Sequence, residues 1–98
     1  MLKLEPQYDS RKSFYGKAKY EVIEKENNKR LFKLHSYGTL VATVEEGDGK
    51  MSCTHLGRFS QTTSRHQREF FKQMGLNDIK IKFLEAHTDE VIDFEQGY

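Results

Sequence analysis

Alternating apolar and polar positions dominate the first half of the chain and predict a run of β-strands. From Ser13 to Glu24, apolar side chains recur at every second residue, which is the period of a strand with one buried face. Similar reasoning predicts strands from Arg30 to Ser36 and from Lys50 to Leu56, and the β-branched residues of Thr39 to Glu45 favour another strand between them. We therefore expect two successive hairpins.

Turn-forming residues separate these strands. Asn27 and Asn28 tolerate the positive φ that tight hairpins need, and the two glycines that flank Asp48 favour a second tight turn. Between the hairpins, Tyr37-Gly38 offers a turn or a bulge. Strands joined by tight turns are antiparallel, so the pattern predicts an antiparallel sheet.

A period close to 3.6 residues follows the fourth strand and predicts one amphipathic helix from about Thr62 to Met74. Phe70, Phe71 and Met74 fall on one arc of this helix, which we expect to face the core. A capping box at Ser64 and capping residues before it leave the helix start open between Thr62 and Ser64.

The remaining segments carry weaker patterns. Asp78 to Leu84 alternates apolar with mostly basic residues and predicts a fifth strand, whereas Val91, Ile92 and Phe94 either extend the sheet or dock as a short segment. We expect residues 1–12 to form an N-terminal arm outside the sheet, residues 13–84 a single domain, and residues 85–98 an acidic C-terminal segment. The predicted fold is α+β, with an antiparallel four- to five-stranded sheet from two hairpins and one amphipathic helix packed on one face. Its core should include Tyr20, Leu31, Leu40, Val44, Phe70, Phe71 and Met74.

Composition limits the class of protein. Ninety-eight residues suit one domain, and 36% apolar against 32% charged residues imply a small core. The single cysteine, Cys53, excludes an intramolecular disulfide and suits a reducing compartment. The chain has no apolar leader segment and no stretch of about 20 apolar residues, so we expect a soluble, cytoplasmic protein.

Charge is divided along the chain. Residues 1–82 contain all sixteen Lys and Arg against ten acidic residues, a net charge of +6, whereas residues 83–98 carry five acidic residues and no Lys or Arg. A basic body with an acidic tail indicates either a nucleic-acid binder whose tail competes with the nucleic acid, or a protein-binding surface with two faces. A solvated acidic terminus that only balances the charge explains the same division.

No motif for catalysis or for a cofactor is found. His35, His55, His66 and His87 lie in four different predicted elements, and Cys53 with His55 supplies only two metal ligands. A cysteine in the middle of a strand has neither a helix N-terminus nor a nearby cation to activate its thiol, so we interpret Cys53 as a packing residue. Nucleotide-binding glycine loops and nucleophile motifs are also missing. We predict a non-enzymatic protein that uses no metal and no cofactor.

Cations interleaved with aromatic rings point instead to a binding surface, since rings stack on bases and cations contact phosphates. The candidate basic contacts are Arg65, Arg68 and Lys72 on the solvent side of the helix, and Lys17, Lys19 and Arg58 beside aromatic residues. The candidate acidic contacts, which would imitate phosphate charge, are Glu85, Asp89, Glu90, Asp93 and Glu95. An ordinary solvated helix face and buried aromatic residues also account for these patterns.

Three short motifs carry a resemblance to a known kind of domain. In order along the chain they are Tyr15-Gly16-Lys17-Ala18, Ser36-Tyr37-Gly38-Thr39-Leu40-Val41-Ala42 and Ser60-Gln61-Thr62-Thr63-Ser64-Arg65-His66. From Ser13 to Gln73 the chain resembles a small uncharacterised domain that recurs in bacteriophage and mobile-element proteins of Gram-positive bacteria. Gly38 stands where that pattern has Asn, and the acidic segment lies outside it, so neither the turn geometry nor the role of the acidic segment is carried over.

The resemblance implies a phage or mobile-element protein that acts by binding, inside a bacterial host cell. One hypothesis is an inhibitor of a host defence nucleoprotein such as a CRISPR effector, similar to anti-CRISPR proteins, with the acidic segment covering a nucleic-acid channel. The alternative is a small basic nucleic-acid-binding protein or regulator that acts directly on DNA or RNA. Direct binding predicts an affinity that falls steeply with salt. We expect no membrane partner, and the oligomeric state stays open.

Overall fold

The computed structural model describes residues 1–95 as an α+β fold. Within these residues, six antiparallel strands form one sheet in the order β1-β2-β3-β4-β5-β6. The strands are β1 (Leu2–Lys3), β2 (Ala18–Glu24), β3 (Arg30–Ser36), β4 (Thr39–Gly47), β5 (Lys50–His55) and β6 (Val91–Glu95), and the helices between β5 and β6 are α1 (Gln61–Gln73) and α2 (Asp78–Ala86). The predicted α+β class and antiparallel sheet are confirmed. The sheet has six strands rather than four to five, because β1 and β6 extend it, and a second helix accompanies the predicted one.

Local turn chemistry accounts for the three tight connections from β2 to β5. Asn27 and Asn28 have φ of 62° and 61°, in the left-handed region that asparagine tolerates. Tyr37-Gly38 and Asp48-Gly49 form the other two turns, again with positive φ at both positions. Two-residue turns such as these two match the twist of the flanking strands, whereas Asn27 and Asn28 lie in a longer connection that contains a short 3₁₀ turn, Glu26–Asn28. The predicted turn positions are confirmed.

A β-bulge in β4 brings the sheet into contact with α1. The register of β3 and β4 shifts between Leu34 and His35, which leaves Val41 as the extra residue. Val41 and its neighbour Ala42 are both buried, as a bulge permits for consecutive residues. The Val41 carbonyl accepts a hydrogen bond from Gln67 Nε2 of α1 at 2.9 Å. The bulge therefore holds the start of β4 against the helix.

Both helices pack on one face of the sheet. Phe70 and Phe71 of α1 and Ile81 and Leu84 of α2 are buried against the strands. The opposite face, which neither helix covers, carries the alternate side chains of the same strands. We call it the open face. Neither helix of residues 1–95 is long and apolar enough to cross a membrane. The inward strand residues are Ala18, Leu34, Ala42, Val44, Met51 and Cys53, with Tyr20, Phe32, Ile92 and Phe94 partly buried beside them.

The predicted core is correct for α1 and wrong for two strand residues. Leu31 and Leu40 lie on the open face, where each is half-buried, because Phe32 and Leu34 take the inward positions of β3. The other predicted core residues are buried or partly buried, namely Val44, Phe70, Phe71, Tyr20 and Met74.

The segment predicted as a fifth strand is helix α2, so that prediction is wrong. Asn77 caps the helix, with its side-chain oxygen accepting from Lys80 N at 2.9 Å. Ile81 and Leu84, three residues apart, are buried, whereas Ile79 is 79% exposed. Helical spacing, rather than alternation, therefore decides which of these apolar side chains reach the core.

The first residues are part of the sheet, so the expectation of an arm outside it is wrong for them. Leu2–Lys3 pairs with β2, and Leu4 is buried with its amide donating to Ala18 O at 2.9 Å. Strand β2 begins at Ala18 rather than Ser13, because a turn at Tyr15-Gly16 precedes it. The N-terminal segment thus forms one edge of the sheet.

Candidate nucleic-acid interface

Two of the three predicted cations on α1 are paired with α2. Arg68 Nη2 lies 3.0 Å from Glu85 Oε2, and Lys72 Nζ lies 3.5 Å from Asp78 Oδ1. Arg65 is half-buried and forms no ion pair within residues 1–95. The charge that this helix offers to a polyanion is therefore partly offset by its neighbour.

Arg58 belongs to the same corner of the molecule. Its Nη2 donates to the Glu85 carbonyl at 2.9 Å, and it lines a pocket of about 270 Å³ together with His55, Ser64 and Arg68. Burial lowers the pKa of His55, against the opposing effect of the Glu85 carboxylate, so the imidazole is neutral near pH 7. Glu85 thus contacts both guanidinium groups, Arg58 through its backbone carbonyl and Arg68 through its carboxylate, and an anion that binds Arg68 would have to displace that carboxylate.

The predicted acidic residues do not form one tail. Asp89 Oδ1 accepts from Gly57 N at 3.0 Å, and Asp93 Oδ1 accepts from Ser52 Oγ at 2.6 Å. Glu85 joins the two helices through Arg68, so three of the five residues hold parts of the fold together. The other two lie apart, with Glu90 immediately before β6 and Glu95 in it.

Lysines occupy the open face at the β1 edge of the sheet. Lys3 of β1 lies directly opposite Lys19 of β2, and Lys33 of β3, which lies directly opposite Glu21 of β2, shares their face. Lys17, immediately before β2, continues the row. We call these four residues the lysine patch. None of them forms an ion pair with any residue of the described range. Like charges directly opposite each other destabilise a sheet, so a bound polyanion would relieve a repulsion that the fold contains.

The sequence pattern identified only half of the lysine patch. Lys17 and Lys19 were predicted as basic contacts, and both lie in it. Lys33 was missed, although it alternates with the apolar residues of its strand and could have been placed on the outward face. Lys3 was missed because β1 contains two residues, and its position depends on pairing with a distant segment.

A groove of about 400 Å³ borders the lysine patch. His35 lies opposite Lys19 within it, and His35 Nε2 is 3.2 Å from Glu21 Oε1. Cations and ring donors therefore converge on one concave surface, which suits a phosphate-bearing ligand. The lining residues are Met1, Gly16, Lys17, Lys19, His35, Tyr37 and Gly38.

A buried polar cluster supports the turn at Tyr37. His66 Nδ1 lies 2.8 Å from Ser36 Oγ, which lies 3.0 Å from Thr63 Oγ1. Burial lowers the pKa of His66. A serine beside a neutral imidazole has the composition of a nucleophile and its base, but both side chains are more than nine-tenths buried. We therefore interpret the pair as structural.

Cys53 is also buried, and burial raises the pKa of its thiol to about 12. This opposes formation of the thiolate, the reactive form of cysteine, near pH 7. Among residues 1–95, no group of three His, Cys, Asp or Glu side chains is placed to hold a metal ion.

Comparison with known proteins gives a family and no assigned activity. Residues 2–86 match the model of a family of unknown function, DUF8033. No curated protein and no solved structure matches the chain. The matched range covers both helices and the whole lysine patch. Because that range is most of the chain, the protein belongs to the DUF8033 family.

Proposed function

We propose that this protein is a non-enzymatic binding protein that holds single-stranded nucleic acid on its open face. The observation that carries the proposal is the lysine patch. Lys3, Lys17, Lys19 and Lys33 are cations on an uncovered sheet face with no ion-pair partner in residues 1–95. A nucleic acid carries regularly spaced phosphates along its backbone, and these can contact several such cations at once.

A single strand fits this surface better than a duplex. The major groove of a duplex admits a helix or a two-stranded ribbon, but the cations of α1 are paired with α2. A sheet face with nearby aromatic rings is instead the kind of platform on which single strands lie. The predicted helix contacts Arg65, Arg68 and Lys72 are secondary in this proposal.

The expected salt dependence follows from the number of lysines. Four phosphate contacts on a single strand give a log–log slope of affinity against salt of about −2.8. Raising the salt from 50 mM to 200 mM should then weaken binding about 50-fold. Fluorescence anisotropy with labelled oligodeoxythymidylate and oligouridylate measures this slope.

Matched variants assign the slope to the patch. Lys19→Gln should reduce the slope by about 0.7, whereas Lys82→Gln, which removes the same charge from the exposed surface of α2, should leave it unchanged. Changing all four patch lysines to Gln should abolish binding while the protein stays folded, because the change also removes the repulsion between Lys3 and Lys19. Equal effects of Lys19→Gln and Lys82→Gln, or no binding at 50 mM salt, would contradict the proposal.

One observation favours a second candidate function, inhibition of a host defence nucleoprotein such as a CRISPR effector. The far half of the open face carries Glu45, Asp93 and Glu95, so the same face presents both signs of charge. A nucleoprotein presents phosphates and cationic side chains side by side, and could contact both halves. This function, which the phage-type resemblance also favours, would place the protein in the bacterial cytoplasm.

An effector assay separates the two functions. A guide-loaded CRISPR effector is incubated with excess protein, and cleavage of target DNA is measured. The inhibitor hypothesis expects inhibition that Asp93→Asn with Glu95→Gln weakens, while binding of free oligonucleotide is unchanged. Full cleavage at a large excess of protein, across effectors of different type, would count against it.

A further inference from the structure

We infer that Tyr15 and Tyr37 are stacking platforms for unpaired bases of the strand that the lysine patch binds. The inference rests on the proposed function and adds to it the way in which bases, rather than phosphates, are held. It assigns a role to two exposed rings, of which Tyr37 packs on His66 and Tyr15 has no ring contact within residues 1–95.

Both tyrosines lie in tight turns where tyrosine is unfavourable. Tyr15 has φ of 54° and is followed by Gly16 at 69°, and Tyr37 has φ of 52° and is followed by Gly38 at 82°. Two consecutive residues with positive φ are typical of type I′ turns, for which Asn, Asp and Gly are the preferred residues. A large side chain in the left-handed region is strained. The same unfavourable choice occurs twice in one small domain.

Both side chains are also largely exposed to solvent. Tyr15 is 79% exposed and Tyr37 is 58% exposed. Because only 36% of the chain is apolar, each ring that stays outside the core reduces the apolar surface area that this small domain buries on folding. Strain and exposure each lower the stability of the fold. Strained positions that persist are typical of functional sites.

The two turns are neighbours and lie beside the lysine patch. Tyr37 N donates to the Lys17 carbonyl at 2.9 Å, which joins the second turn to the residue after the first. The Tyr37 ring stacks on His66 with a centroid distance of 5.9 Å and an interplanar angle of 28°. Phe14 meets the other side of this cluster, with its ring 4.5 Å from His66. One face of Tyr37 is thus fixed against the buried cluster, and its exposure leaves the other face available.

This arrangement selects a class of ligand. An aromatic side chain stacks on any base, and adjacent cations track the backbone that carries the bases. The ligand is therefore single-stranded DNA or RNA with unstacked bases and little preference for sequence. A duplex, whose bases are already stacked on one another, cannot use the tyrosines.

An abasic oligonucleotide tests the inference separately from the lysine patch. The probes are labelled oligodeoxythymidylate and an oligomer of the same length in which the central sites are abasic. The wild-type protein should bind the base-containing probe at least tenfold more tightly. Tyr15→Asn and Tyr37→Asn should reduce that preference, while Tyr37→Phe, which keeps a ring, should preserve it. Tyr8→Asn, at an equally exposed tyrosine away from the open face, is the matched control and should change nothing.

The melting temperature gives a second, independent readout. Tyr15→Asn should melt at a higher temperature than the wild type, because asparagine suits the turn and Tyr15 has no ring contact within residues 1–95. Tyr37→Asn also loses the stack on His66, so its melting temperature should stay near that of the wild type. Weaker binding together with a lower melting temperature for Tyr15→Asn would assign the tyrosines to folding and overturn the inference.

The possible binding results separate the two proposals. Equal affinity of the wild type for both probes would overturn the stacking role and leave lysine-based binding intact. A failure to bind either probe at low salt would overturn both.

Discussion

A buried glutamate on α1 fastens the N-terminal segment to the domain, and its replacement is the sharpest test of the fold. Glu69 is 2% exposed. Its Oε1 accepts from Tyr8 N at 2.9 Å and from Asp9 N at 2.8 Å, and its Oε2 accepts from Gln73 Nε2 at 2.7 Å. The carboxylate thus serves as the anchor for the segment between β1 and β2.

The cost of removing this anchor follows from its hydrogen bonds. A hydrogen bond to a charged group contributes about 1.5–3 kcal/mol. Because the Tyr8 and Asp9 amides are only partly buried, water can hydrogen-bond to them when the carboxylate is removed. This recovers part of the lost free energy. We expect Glu69→Ala to lower the free energy of unfolding by about 3 kcal/mol, a large share of the 5–15 kcal/mol typical of a domain. Glu69→Gln keeps one acceptor oxygen and the shape, and should cost about half as much.

Urea denaturation followed by circular dichroism measures both values. Glu90→Ala is the control, since Glu90 is exposed with no side-chain partner in residues 1–95, and it should change stability by no more than about 0.5 kcal/mol. Limited proteolysis should cut Glu69→Ala first between residues 5 and 16. A loss below about 1 kcal/mol for Glu69→Ala, with the N-terminal segment still protected, would refute this reasoning.

Three further predictions follow from buried groups and one close approach. Burial lowers the pKa of His55 and His66 in the folded protein, so the unfolded chain binds protons more readily. The free energy of unfolding should therefore fall as the pH drops through about 6.5. Urea titrations at pH 7.5 and 5.5 measure this change, and equal stability at the two values would contradict the prediction. A Cβ at Gly47, where φ is 155°, would lie 2.7 Å from Lys29 Cγ and 3.2 Å from Lys29 Cα, so Gly47→Ala should lower the urea midpoint by an amount equivalent to about 1–3 kcal/mol. The Cys53 thiol, with its pKa near 12, should react with a thiol reagent at pH 8 only after urea unfolds the protein; labelling of the native protein at the unfolded rate would show that the thiol is accessible.

Strands β2 to β5 could be predicted because their causes are local. Alternation selects the strand period, and Asn, Asp and Gly at the turns fix where each strand ends. The predicted bounds of β3, Arg30 to Ser36, are the observed ones, and those of β4 and β5 differ from the observed ends by one or two residues. Helix α1 could be predicted for the same reason, since Phe70 and Phe71 lie on one arc, but its start is earlier than predicted. It begins at Gln61 with Ser60 as its cap, rather than between Thr62 and Ser64.

Helix α2 could not be distinguished from a strand by its pattern. The segment from Asp78 to Leu84 satisfies alternation, yet Ile81 and Leu84 also satisfy the i, i+3 spacing of a helix. A short apolar segment is ambiguous in this way, and packing on β5 decides it. The Asn77 cap is a further local feature that favours the helix.

The error at α2 changed the predicted site. The predicted strand gave no reason to expect Asp78, or Glu85 after its end, beside α1. As a helix, the segment brings Glu85 to Arg68 and Asp78 to Lys72. The position of the N-terminal segment could not be predicted from the sequence either, because its contacts join residues far apart along the chain. The contacts of Tyr8 and Asp9 with Glu69 span about sixty residues. The position of Lys3 in the lysine patch depends on the pairing of β1 with β2. For this reason only part of the patch could be predicted from the sequence.

The division of charge along the chain becomes a division across the sheet. Because β6 pairs with β5, Asp93 and Glu95 lie on the open face at the edge opposite to Lys3. Five strand spacings of about 4.8 Å separate the two edges by roughly 24 Å, about three times the Debye length of ~8 Å at physiological salt. Acidic residues at that distance hardly offset the charge of the lysines. This argues against the hypothesis that the acidic segment competes with nucleic acid for the basic residues of the same chain. The open face therefore carries Lys3 and Lys19 at one edge and Asp93 and Glu95 at the other, too far apart for either group to affect the other strongly at physiological salt.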